Sequence, residues 1–163
     1  HLVPRVPSYA AFASKSLQEL YTPEALAGAL RFEANPLATV LFRSDGAGHF
    51  QIEPLPALAQ MAPVMAIALE DLDGDGRADA ILAQNFNAAQ RETGRMNAGL
   101  CLFLQGGADG EFTALWPLES GISLRADPRH LAIADLDGDG QKDLVIAQNG
   151  GRPQVFRRSD LQK

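Results

Sequence analysis

Residues 71–85 read DLDGDGRADAILAQN, and residues 135–149, 64 positions later, read DLDGDGQKDLVIAQN. Ten of these 15 positions are identical, so the chain contains an internal repeat. A second landmark has nearly the same period, because the turn SDGAGHF that ends at Phe50 returns as ADGEF, which ends at Phe112. Self-similarity at a fixed period predicts a propeller, a solenoid or an array of repeats.

Short apolar runs flank the repeated stretches and predict β-strands. In the complete repeat they lie at 64–69, 80–83, 100–104 and 112–116. Runs of four to six residues bounded by Gly, Asp and Asn are too short for helices. The glycine-rich residues 106–110 predict a hairpin turn between the last two runs. One repeat therefore predicts four antiparallel strands.

The predicted fold is mainly β, with β-propeller-like blades of four antiparallel strands. We expect one complete blade at 61–117, between partial blades at 36–60 and 128–160. The partial blades contain only the last two strands and the first three strands of the pattern. Together the three form a repeat region at 36–163, which follows a short helical segment.

This helical segment, residues 1–35, has a different pattern and forms an N-terminal tail with two short helices. Ser16 and Glu19 match a capping box, in which each residue satisfies a backbone N–H of the other. Thr22 and Pro23 place a capping side chain before a proline at the first helical position. The predicted helices span residues 14–21 and 23–33.

The two acidic loops carry the oxygen ligands of a cation site. Alternating Asp residues point carboxylates inward when the backbone curls, and Gly at the sixth position permits the sharp turn. Carboxylates held this close repel one another unless a cation lies between them. The predicted ligands are the side chains at loop positions 1, 3, 5 and 9 and the backbone carbonyl at position 7: Asp71, Asp73, Asp75, Arg77 and Asp79 in the first loop, and Asp135, Asp137, Asp139, Gln141 and Asp143 in the second.

Calcium suits these loops better than other metals. Magnesium resists exchanging its water shell for a cage made only of protein oxygens, and neither loop contains the His or Cys that zinc prefers. An EF-hand needs Glu at its twelfth position, where these loops have Leu82 and Ile146. We therefore predict two Ca²⁺ sites, and two divalent ions would change the formal charge from −6 to −2.

The loop D-x-D-x-D-G-x-x-D after an apolar strand, with the downstream x-D-G-x-G-x-F turn, resembles the FG-GAP/VCBS repeat family over about residues 36–158. Residues 85–99 and Ser120-Gly121 are also similar to the C-terminal part of large secreted bacterial VCBS-repeat proteins. The resemblance implies integrin-α-like β-propeller blades, calcium at the loop residues just named, and a binding or scaffolding role.

Several residue types that often serve chemistry are assigned to packing instead. Cys101 lies in an apolar run, His49 lies in a hairpin and His130 on a strand. Trp116 and Phe86 are expected in the core, with stacking on a ligand as the alternative. No G-x-S-x-G or H-E-x-x-H motif occurs, so we expect no enzymatic activity.

The predicted function is a calcium-binding repeat module with a structural role or a protein or glycan interaction role. It acts outside the cytoplasm, as a secreted or cell-envelope protein. The alternative is a non-catalytic or accessory portion of an extracellular carbohydrate-active enzyme. Expected partners besides calcium are a second copy of the chain or the rest of a larger parent chain.

Composition and charge exclude other partners. A net charge of −6 opposes binding to a nucleic acid backbone, and no stretch approaches the 18 apolar residues that a membrane span requires. Residues 1–5 read like a protease-cleavable tag linker. We expect the chain to be a fragment or a processed product.

Overall fold

The structure is a computed structural model that describes residues 6–158. The predicted tag linker and the last residues of the predicted third blade lie outside these residues. The chain divides into two compact units, His1–Leu37 and Ala38–Lys163. No helix in the described part is long and apolar enough to cross a membrane.

The first unit has three short helices where the sequence predicted two: α1 (Tyr9–Ala13), α2 (Leu17–Leu20) and α3 (Pro23–Ala27). The predicted capping box is present, since Glu19 Oε2 accepts from the Ser16 backbone N–H at 2.7 Å. This hydrogen bond lowers the pKa of Glu19. Because Ser16 is the cap, α2 begins at Leu17 and not at residue 14, and α3 stops before Gly28.

The second unit contains three antiparallel sheets of two, four and three strands. Sheet 1 is β1-β2, sheet 2 is β3-β4-β5-β6 and sheet 3 is β7-β8-β9. The strands are β1 (Val40–Ser44), β2 (Phe50–Pro54), β3 (Val64–Glu70), β4 (Asp79–Gln84), β5 (Leu102–Gly106), β6 (Phe112–Leu115), β7 (Asp127–Ala134), β8 (Asp143–Asn149) and β9 (Gln154–Phe156).

These sheets confirm the mainly β prediction, with one complete set of four strands between two partial sets. The three sheets do not form a closed propeller within the described residues. Two short helical segments were not predicted, a 3₁₀ turn at Ala57–Gln60 and α4 at Pro117–Ser120. Each of them follows the last strand of its sheet.

The strand registers repeat with the same offsets as the sequence. In sheet 2, Ile67 pairs with Leu82. In sheet 3, the residues 64 positions later, Leu131 and Ile146, form the equivalent pair. The outer pairs of sheets 1 and 2 repeat at the other offset, because Phe42↔Ile52 becomes Leu104↔Ala114 after 62 positions. Sheet 1 therefore matches the third and fourth strands of sheet 2.

The core lies on both faces of sheet 2. Side chains alternate between the faces of a strand, so Ile81 of β4 points into one apolar cluster while Ala80 and Leu82 point into another. The first cluster joins sheet 2 to sheet 3 through Leu131, Leu144 and Ile146, among others. The second joins sheet 2 to the segment after β2, including Ala59. Strand β4 is consequently buried along its whole length.

Three expectations about single residues had different outcomes. Cys101 is buried in the first cluster, as predicted, and burial raises the pKa of its thiol. The prediction that Trp116 packs in the core is wrong, since 60% of this residue is exposed. It stands at the N-terminal end of α4, where the chain leaves sheet 2. Phe86 is half-buried under the guanidinium of Arg129, which lies 5.1 Å from the ring centre.

Candidate metal centres

The acidic loops occupy the same place in two sheets. The first joins β3 to β4 and the second joins β7 to β8, so each connects the first and second strands. The twelfth loop residues, Leu82 and Ile146, are buried strand residues. The loops therefore lead into sheets, whereas an EF-hand loop leads into a helix.

The first Asp of each loop holds the backbone in a curl. Asp71 Oδ1 accepts from the Gly74 N–H at 2.7 Å, and its Oδ2 accepts from the Gly76 N–H at 2.9 Å. Asp135 makes the same two bonds, at 2.7 and 2.9 Å, with the glycines 64 positions later. Gly76 has a φ of 85°, a conformation that few other residues adopt readily. This curl turns the loop carboxylates toward one another.

Each loop brings three carboxylates together. Their oxygen atoms lie within 4.8 Å of one another in two groups, Asp71, Asp73 and Asp79 in the first loop and Asp135, Asp137 and Asp139 in the second. Six of the ten predicted ligands thus meet in two triads, which could hold metal ions. Asp75 and Asp143 make other contacts, and the carbonyl groups of Arg77 and Gln141 stay predictions.

Two of these carboxylates have a lowered pKa, from different causes. For Asp135 the main cause is the backbone N–H bonds from Gly140 and Gly138. For Asp73 it is the Gln105 side chain, whose Nε2 donates to Asp73 Oδ2 at 2.7 Å. Hydrogen bonds to a carboxylate favour its ionised form. Both groups are therefore anionic at neutral pH, as a cation site requires.

The two triads differ because the loops differ at position 7. In the first loop the Arg77 guanidinium pairs with the Asp75 carboxylate. Arg77 Nε also donates to the Gly106 carbonyl at 2.8 Å, which ties this side chain to the end of β5. The second loop has Gln141 at this position, which carries no charge to draw Asp139 out of its triad. Position 5 therefore joins the triad only in the second loop.

The ninth residue of each loop ties the loop to the third strand of its sheet. Asp79 is fully buried, and its Oδ2 accepts from the Leu72 and Asp73 N–H groups at 3.0 and 3.3 Å. Its Oδ1 accepts from the Gly106 N–H at 2.9 Å. Sequence reasoning gave Asp79 only a metal-binding role. The available signal was its place where the acidic loop meets the apolar run 80–83, because the N–H groups of a loop need an acceptor.

Asp143 repeats this arrangement in the second loop. Its Oδ2 accepts from the Leu136 N–H at 3.1 Å, and its Oδ1 accepts from the Arg158 N–H at 3.4 Å. Arg158 and Gly106 occupy equivalent places in the two sheets. Gly106 lies two residues after Leu104, which pairs with Ala80, and Arg158 lies two residues after Phe156, which pairs with Leu144. The Arg158 guanidinium also reaches the first loop, where Nη2 donates to the Asp73 carbonyl at 2.7 Å.

A neighbour at the third strand distinguishes the two sites. Gln105 of β5 contacts Asp73, and the equivalent residue Arg157 donates from Nη1 to Asp137 Oδ2 at 3.1 Å. A bound cation must compete with this guanidinium for the Asp137 carboxylate. The second triad is also more exposed than the first, which is half-buried around a buried Asp79. Sequence reasoning missed both neighbours, because they lie outside the loops.

We expect Arg157→Gln to tighten cation binding at the second loop. The substitution copies Gln105 of the first loop and removes a positive charge that competes with the ion. Exposed ion pairs contribute up to about 1 kcal/mol, so the affinity should rise by a factor of about two to five. Titration with Ca²⁺ at low salt measures this change. Arg152→Gln is the control, and equal affinities for wild type and Arg157→Gln would contradict the competition.

The fold and the loops together define a class, a β-sheet repeat protein with two carboxylate triads that could hold metal ions. Comparisons of the chain with protein-family models, with curated proteins and with solved structures find no match. The resemblance to FG-GAP/VCBS repeats stays a prediction.

Proposed function

We propose that this chain is a calcium-binding module of β-propeller-like repeats that acts outside the cytoplasm as a structural or interaction element. The observation that carries the proposal is the pair of Asp triads at equivalent places in two sheets. Three carboxylate oxygens within 4.8 Å form an oxygen-only site of the kind that Ca²⁺ prefers.

The bound ion would act on stability. Asp71 and Asp73 lie in the connection between β3 and β4, and Asp79 is the first residue of β4, so a cation among them would offset their mutual repulsion and hold the loop in its curl. A ligand that binds only the folded state stabilises that state. The proposed role of calcium is therefore to hold the β3–β4 and β7–β8 connections in place, so that the sheets can serve as a structural or interaction element.

Calorimetric titration of the metal-stripped protein tests the proposal. We expect two Ca²⁺ ions per chain and weaker binding of Mg²⁺, which keeps its water shell more firmly. Asp73→Ala and Asp137→Ala should each remove one site, because each deletes a member of one triad. Asp45→Ala, in the β1–β2 hairpin outside both loops, is the matched control. The absence of Ca²⁺ uptake would overturn the proposal, as would the loss of both ions from one substitution.

The affinity bears on the proposed location. Extracellular calcium modules function with dissociation constants of roughly 10⁻⁴ to 10⁻³ M, because free calcium there is high enough to fill them. Sub-micromolar affinity at both loops would remove this support for a secreted or cell-envelope protein.

A second candidate function, an accessory sugar-binding part of a carbohydrate-active enzyme, is favoured by one observation. Trp116 presents an exposed indole at a pocket of about 120 Å³ whose walls include Leu58, Met61 and Leu115. Pyranose rings stack on such surfaces, but sugars also need polar partners. The Gln84 side chain of this pocket already donates to the Leu58 carbonyl at 3.0 Å. Quenching of Trp116 fluorescence by oligosaccharides would favour this candidate over the first.

A further inference from the structure

Strand β3 is apolar on both faces, and the face opposite the first core cluster is covered only at Val64, which packs against the second cluster. Ala66 and Ala68 pack against the first core cluster, which sheet 3 shares. On the opposite face Ile67 and Leu69 are 56 and 62% exposed, and Met65, which lies at the register irregularity beside them, is 38% exposed. We name these three residues the β3 seat. Three large apolar side chains in a row on one strand form the kind of patch that a partner covers.

The internal repeat shows what covers such a seat. Leu131 and Ile133 of β7 are the residues 64 positions after Ile67 and Leu69. Leu131 is only 8% exposed, because β3 packs on β7 and its alanine face enters the same cluster. Among residues 6–158, sheet 1 has no strand in the place that would correspond to β3, so no such strand covers the seat of sheet 2.

The chain also carries a free surface of the type that is needed. The opposite face of β7 consists of His130, Ala132 and Ala134, which are exposed. His130 and Ala132 are the residues 64 positions after Ala66 and Ala68, the pair that covers β7 inside the chain. We name these three residues the β7 back face. Apart from His130, the side chains of the β7 back face and of the β3 seat are apolar.

We propose that the β3 seat binds the β7 back face of a second copy of this chain. The contact repeats between molecules the packing that β3 and β7 make within one molecule, shifted by one repeat. Large side chains of the seat then meet the small alanine face, as Leu131 and Ile133 meet Ala66 and Ala68 internally. The proposal goes beyond the proposed calcium function and does not rest on it.

Such an interface is head-to-tail, because the two surfaces in contact are different. Head-to-tail contacts form closed rings if the rotation between copies closes and open chains if it does not. In the assembly β1 and the partner's β9 would occupy the same position, because β1 corresponds to the third strand of sheet 2 and β9 is the third strand of sheet 3. We infer that β1 keeps this place, since it has five register pairs with β2 whereas β9 has three with β8.

Light scattering after size exclusion tests the proposal on the full chain over a concentration series. We expect a mass that is a multiple of the 17.4 kDa chain, and 17.4 kDa for either Ile67→Glu in the seat or Ala132→Arg on the back face. Both positions are exposed, so each variant should keep the wild-type melting temperature at low concentration. Leu118→Glu is the matched control, since Leu118 is a fully exposed leucine on α4, and its mass should equal that of wild type.

Mixing the two monomeric variants gives the decisive result. Ile67→Glu retains an intact back face and Ala132→Arg retains an intact seat, so an equimolar mixture should form a one-to-one pair. An interface that uses the same surface on both copies would not be restored in this way. The proposal is overturned by a wild-type chain of 17.4 kDa at every concentration, by association that survives both substitutions, or by a mixture that stays monomeric.

Calcium separates this proposal from the calcium function. Neither surface contains a loop carboxylate, so the assembly should form in EDTA as well as in Ca²⁺, although displacement of β9 would remove the contacts of Arg157 and Arg158 with the second loop. A chain that binds two ions but stays monomeric refutes the assembly alone. A chain that assembles without binding calcium refutes the calcium function alone.

Discussion

Asp79→Ala should lower the free energy of unfolding by about 3 kcal/mol or more even in EDTA, where no cation is bound. The buried Asp79 carboxylate accepts from three backbone N–H groups, those of Leu72, Asp73 and Gly106. A buried donor that loses its acceptor costs about 1–3 kcal/mol, and of these three hydrogen bonds the one from Gly106 is buried and the other two are partly buried. Urea denaturation of the metal-stripped variant measures the loss.

Asp75→Ala is the matched control, because Asp75 belongs to the same loop but is exposed and paired with Arg77. We expect only a small change for this variant in EDTA. Equal losses for the two variants would show that Asp79 has no special structural role. An unchanged stability of Asp79→Ala in EDTA would leave it only a role in cation binding.

Calcium should raise the free energy of unfolding by about 5 kcal/mol when both sites are near saturation. A ligand that binds only the folded state adds about 2.7 kcal/mol per site at 100 times its dissociation constant. Denaturation in Ca²⁺ and in EDTA gives the difference. Asp73→Ala and Asp137→Ala should each keep about half of the gain, and the double variant should keep none.

Chelation can be distinguished from a general effect of charge. Magnesium at the same ionic strength should give a smaller gain, because screening by salt is the same for both ions. A melting temperature that is the same in EDTA and in Ca²⁺ would contradict cation binding by the folded chain.

The regular part of the fold could be predicted from the sequence because its signals are local. Apolar runs of four to six residues, bounded by Gly and Asp, indicate strands wherever they occur. Repetition at 64 positions predicted which runs share a sheet. By contrast, α1 and α4 are single turns whose caps resemble ordinary loop residues, and Trp116 is apolar by type yet lies where the chain leaves the sheet.

The candidate site could be predicted only up to its loops. The loop spacing places the carboxylates, and the structure brings six of them together. The contacts that make the two triads different join residues far apart in the sequence. Asp79 and Gly106 are 27 positions apart, and Asp137 and Arg157 are 20 positions apart. Which loop residue pairs with which outside group depends on strand register. The sequence carries no local sign of that register at these positions.

Arg158 contacts both candidate sites. Its backbone N–H donates to the Asp143 carboxylate of the second loop, and its guanidinium donates to the Asp73 carbonyl of the first loop. One residue therefore binds both loops. An ion that moved either loop would also move Arg158. It would thereby change the free energy of ion binding at the other loop. By reciprocity, the effect of the first ion on the second equals the effect of the second on the first. For the calcium binding proposed above, loss of one ion should therefore change the affinity of the other loop, 64 residues away, without abolishing its site.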